Sequence, residues 1–116
     1  MSDDPKLKEI VHVAVEITRF LKVDNPGWVE CRLVDLSGRE HLFHEKIPVV
    51  TAADIWADTR YPQPGVIAAI VVKQSMQPSG QESLTVDTAE PWDIESTAGE
   101  TIFEIGSHQL VSMDSN

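Results

Sequence analysis

The segment Trp28–Lys46, WVECRLVDLSGREHLFHEK, decides the fold. Its two alternating runs flank Leu36-Ser37-Gly38, a short loop with glycine where the chain must turn left-handed, which is a hairpin signal. Folding about that loop sets Cys31 opposite Phe43 and Leu33 opposite His41 on one face. Glu30 then faces His44, and Arg32 faces Leu42, on the other. The first face is the apolar one and is assigned to the core.

Upstream, Glu9–Leu21 alternates, with Val11, Val13, Val15 and Ile17 on one side and His12, Ala14, Glu16 and Thr18 on the other. Leu7, Ile10, Ala14, Ile17 and Leu21 also satisfy helical spacing, but the β-branched content favours a strand. Asn25-Pro26-Gly27 supplies the turn into the hairpin.

Downstream, Ile47–Gly65 contains Pro48, Pro62 and Pro64 and reads as a long excursion, with a short helical turn expected at Thr51–Asp54. Val66–Val72 is apolar on both faces and is expected to be the central strand, with Ser83–Thr88 as its neighbour. Gln74–Gln81 is expected to be a polar mobile loop. Trp92–Ser96 and Thr101–Ile105 read as a last hairpin about Ala98-Gly99, placing Trp92 against Ile105, Ile94 against Phe103 and Asp93 against Glu104. Trp28 and Trp92, at strand starts, are expected to pack inward.

The fold class expected is all-β: one domain over residues 1–116, a small antiparallel barrel or sandwich of six to seven strands with one short helical turn. Residues 1–6 and 112–116 are expected to be loose termini.

Pro26-Gly27-Trp28-Val29-Glu30-Cys31, Gly38-Arg39, Glu45–Thr51 and Pro91–Ser96 together resemble small bacterial hypothetical proteins of unassigned function. The resemblance implies a bacterial, compact, β-rich protein. It carries no catalytic residue across.

Charge narrows the function classes. Residues 1–50 carry nine acids against seven bases, whereas Gln74–Asn116 carries eight carboxylates and no lysine or arginine, within a formal net charge of -10. Such a surface repels phosphates and attracts basic partners, so nucleic acid is disfavoured and a basic protein is the expected partner. Cys31 is the sole cysteine, so no internal disulfide forms. The longest apolar run, Val66–Val72, is far short of the ~20 residues of a membrane span, and a cytoplasmic location is expected.

No elbow, phosphate loop or dinucleotide fingerprint is present, and no motif calls for a cofactor. His41 and His44 lack the spacing that puts two ligands on one helix face, and on a strand they point to opposite sides. The expected function is therefore a protein-binding module, of the inhibitor, immunity or assembly-factor type, acting through Asp93, Glu95 and Glu104 of the last hairpin. Trp56 and Tyr61 of the excursion are the candidate aromatic contacts. The rival is a small hydrolase or metal-dependent enzyme using His41 or His44 with nearby carboxylates. A homodimer through an open sheet edge is a third expectation.

Overall fold

A computed structural model describes residues 8–112. The strands are β1 (Ile10–Lys22), β2 (Trp28–Val34), β3 (Glu40–Lys46), β4 (Gln63–Met76), β5 (Glu82–Asp87) and β6 (Ile102–Gly106). One helical turn, α1 (Ile47–Val50), follows β3, and a 3-10 turn, Ser107–Gln109, follows β6. All strands belong to one antiparallel sheet in the order β3-β2-β1-β4-β5-β6, curled into a half-barrel. The all-β expectation holds.

The curl begins in β1, which pairs with β4 over Ile10–Ile17 and with β2 over Glu16–Lys22. Its ladder to β2 shifts register twice, between Ile17 and Arg19 and between Phe20 and Lys22. Such irregularities bend a strand and increase its twist. The concave face gathers Val11, Val13, Val15 and Ile17 with Val29, Cys31, Leu33, Phe43, Ile67, Ala69, Val71, Leu84, Val86, Phe103 and Ile105.

The half-barrel is joined across its open side. Phe103 of β6 meets Phe43 of β3 edge to face at 5.5 Å, and the His41 ring at 4.8 Å. The Thr97 amide donates to the Leu42 carbonyl at 2.7 Å, and the Leu36 amide donates to the Glu104 carbonyl at 2.8 Å. Beside them the Gln109 side chain donates to the Val34 carbonyl at 2.9 Å, Leu110 bridges to Val13, and the Val111 amide donates to the His12 carbonyl at 2.8 Å. Part of each exposed edge is thereby covered by the chain itself.

The first hairpin has the register read from its sequence, from Trp28 opposite Lys46 to Val34 opposite Glu40. Gly38, at φ 90°, takes the left-handed turn position. Other expectations need correction. The helical turn lies at Ile47–Val50 rather than Thr51–Asp54, because Pro48 occupies the first turn, where its missing N–H is no loss. β4 extends well beyond Val66–Val72 at both ends, with Pro64 paired to Glu16 near the end of the ladder. Gln74–Met76 is therefore strand, and the turn beyond it is closed by the Gln77 amide on the Gln81 carbonyl at 2.7 Å.

The last hairpin does not form. β6 pairs with β5, setting Leu84 opposite Ile105 and Val86 opposite Phe103, and Trp92–Ser96 is a loop. Of the termini expected to be loose, 1–6 and 113–116 lie outside the described residues.

Gly65 tests the packing between β1 and the end of α1. A Cβ there would meet Ile17 Cγ1 at 2.9 Å and the Val50 carbonyl oxygen at 3.2 Å. Gly65→Ala is expected to destabilise the fold by about 1–3 kcal/mol through overpacking. Urea denaturation checks this, and an unchanged midpoint would contradict the close approach.

Candidate functional site

The outward face of β1, β2 and β3 neutralises itself. Glu30 accepts from Arg19 Nε and Nη2, both at 3.2 Å, and from Thr18 Oγ1 at 3.0 Å, with His44 Nε2 at 3.3 Å. Arg19 holds the Glu30 carboxyl below its ordinary range; partial burial opposes this, and Thr18 and His44 add to it. Arg32 bridges Glu16 and Glu40. The neighbourhood of Glu30 and His44 read from the turn is present. Its chemistry is that of a solvated ion network, in which solvent screening leaves each exposed pair little net effect on stability.

His41 points the other way, into the seam. Its Nε2 lies 2.9 Å from Asp35 Oδ2 and its Nδ1 lies 3.6 Å from Glu100 Oε1. Burial works against the Asp35 charge, but hydrogen bonds from His41, from the Ser37 hydroxyl and from the Arg39 and Ser37 amides outweigh it and hold the carboxyl down at about 2. The two carboxylates occupy opposite ring nitrogens and cannot converge on one ion. Among the described residues no group of three or more His, Cys, Asp and Glu side chains is arranged to hold a metal. Cys31 is fully buried, and burial first, then Glu45 and Glu30, pushes its thiol up to about 12.

The candidate partner-binding residues do not form the cluster expected from a hairpin. Asp93 sits in a turn at φ 54°, its amide donating to the Ala89 carbonyl at 2.9 Å, so it cannot stand on a ladder opposite Glu104. Glu104 lies opposite Thr85 instead. Asp93, Glu95 and Glu104 are all exposed, and among the described residues none of the three has an ion-pair partner.

The tryptophans are also redistributed. Trp92 is 67% exposed rather than packed inward. Trp28 is half-buried on the outward face, because Val29 takes the inward position, and it carries Lys22 Nζ at 5.3 Å and Lys46 Nζ at 5.7 Å from its ring. Trp56 is 67% exposed, and Tyr61 braces it by donating from its hydroxyl to the Trp56 carbonyl at 2.7 Å.

Trp56 and Trp92 both line a groove of about 660 Å³, together with α1, the Asp24–Gly27 turn, and Val66 and Ala68 of β4. Sequence reasoning found Trp56 and missed Trp92. The signal was Pro91 immediately before Trp92 and Asp93 immediately after it, a turn composition that cancels the inward parity of a strand.

Comparison with known proteins finds no matching family model, curated protein or solved structure. Among the described residues no helix is long and apolar enough to cross a membrane.

Two outcomes follow from the buried groups. Cys31 should resist thiol reagents in the native protein at pH 8 and react on unfolding; rapid stoichiometric labelling of the native chain would refute its placement. Asp35 binds its proton less tightly folded than unfolded, so its contribution is complete above the ordinary 3.8 and fades as pH falls through about 2. Asp35→Ala should destabilise by about 1–3 kcal/mol near neutral pH, where it strands His41 and two amides, and by less at pH 2–3. Equal losses at both pH values, by urea midpoints, would contradict this.

Proposed function

We propose that this protein is a binding module for a basic protein, recognised through the acidic surface of its C-terminal half. One observation carries the reading: Glu16, Glu30 and Glu40 of the first three strands are paired with arginine or histidine, whereas Asp93, Glu95 and Glu104 have no such partner among the described residues. The sequence offers them little, since Gln74–Asn116 contains no lysine or arginine. One-signed charge on a surface without local compensation raises the encounter rate with oppositely charged partners and rejects like-charged ones.

Within this reading Asp93 and Glu95 act from the loop between β5 and β6, and Glu104 acts from β6. They steer the partner, while the contact energy comes from aromatic groups, Trp56 among them, with Tyr61 holding its backbone in place. An inhibitor, immunity protein or assembly factor uses charge in this way.

The experiment is stopped-flow association with a basic partner recovered by affinity capture, across a salt series. Asp93→Asn, Glu95→Gln and Glu104→Gln combined should slow association several-fold at low ionic strength and converge on wild type at high salt, with little change in dissociation. Wild-type association rates at every salt concentration would remove the acidic face from the recognition surface.

A further inference from the structure

We propose that the track around Trp56 and Trp92 receives an extended segment of the partner chain, with an aromatic or aliphatic anchor flanked by lysine or arginine. The proposal rests on the basic-partner reading and specifies where and how that partner is held.

The shape points to a chain rather than a compact ligand. The groove of about 660 Å³ continues into a second of about 480 Å³, and the two share Asp24, Gly27, Ile47, Ile55 and Trp56. They form one continuous open track, with Trp56 common to both parts and Trp92 on the larger. A segment of a few residues fills such a track, whereas a small molecule fills a single enclosed pocket.

The chemistry selects the occupant. Asp24 and Asp54 line the larger part and Asp24 and Asp58 the smaller, and among the described residues no lysine or arginine lines either. Lys22 Nζ lies 4.0 Å from Asp24, but Asp54 and Asp58 have no ion-pair partner among the described residues. Among the described residues His12 is the one other titratable group in the lining. Carboxylates beside exposed indoles suit lysine and arginine twice over, because the cation pairs with the carboxylate while its stem or guanidinium plane lies on the aromatic face. Ile47 and Ile55 supply an apolar floor for the anchor.

Both tryptophans are displayed from fixed backbone. The Trp56 amide donates to Thr59 Oγ1 at 2.8 Å, next to buried Ile55. Trp92 lies two residues before buried Ile94, whose carbonyl accepts from Thr88 Oγ1 at 2.6 Å. A rigid turn that anchors an isoleucine and offers a neighbouring indole to solvent is preorganised for contact, so little ordering remains when the segment docks.

The test is selection of random dodecapeptides displayed on phage against the immobilised full-length chain, followed by calorimetric titration of the enriched peptides. Enriched sequences should share an apolar residue flanked by lysine or arginine. Trp56→Ala and Trp92→Ala should each weaken their binding about tenfold or more. Asp54→Asn with Asp58→Asn should weaken it several-fold and flatten its salt dependence. Both indoles are exposed, so the urea midpoints should not move.

No enrichment, or wild-type affinity in both tryptophan variants, overturns the track. If those variants bind normally while the Asp93, Glu95 and Glu104 variant fails, the track is wrong and the basic-partner reading stands. Enriched peptides without basic residues would overturn both.

Discussion

A six-stranded sheet with one apolar face and, among the described residues, no long helix to lay against it must bury that face on itself. This constraint governs the molecule. Curling brings Phe43 and Phe103, from strands at opposite edges of the sheet, to 5.5 Å, and the aromatic contact replaces the ladder that a closed barrel would have there. Burying two such rings outweighs several exposed ion pairs, since truncation of a buried phenylalanine costs about 3–5 kcal/mol and a surface pair contributes about 0–1.

Closure on an aromatic contact has consequences for the polar groups around it. His41 is drawn inside with Phe43 and needs partners, which Asp35 and Glu100 provide from the β2–β3 turn and the loop before β6. The same loop covers part of the β3 edge through Thr97, and the β2–β3 turn covers part of β6 through Leu36. These connections are thus recruited into holding the seam. The loop between β5 and β6 carries Trp92 and the connection between α1 and β4 carries Trp56, both exposed, and this links the fold to the proposed recognition track.

What the sequence disclosed was local. The β2–β3 register was legible because the loop is short and Gly38 fixes its geometry, so every later pair follows by counting. β1 was legible because a strand with one buried face alternates. The last hairpin misled for the opposite reason: Trp92–Ser96 and Thr101–Ile105 are near neighbours in sequence, but β5 is the strand that offers β6 an apolar face. That choice is made by non-local packing of Leu84 and Val86 against Phe103 and Ile105. Local pattern contains no record of it. The acidic bias was visible from the sequence, while the pairing that neutralises Glu16, Glu30 and Glu40 and leaves Asp93, Glu95 and Glu104 uncompensated required the folded arrangement.

The central claim, that the partner docks across Trp56 and Trp92, is tested most directly by fluorine NMR of the chain labelled with 5-fluorotryptophan. The sequence has three tryptophans, and Trp28, already covered by Lys22 and Lys46 on the outward face, serves as the internal reference. Titration with a lysine-rich peptide bearing one central leucine should move the Trp56 and Trp92 resonances saturably, leave Trp28 in place, and do so less as salt is raised. An acidic peptide of the same pattern should move none. Shifts confined to Trp28, or equal shifts with both peptides, would contradict the account.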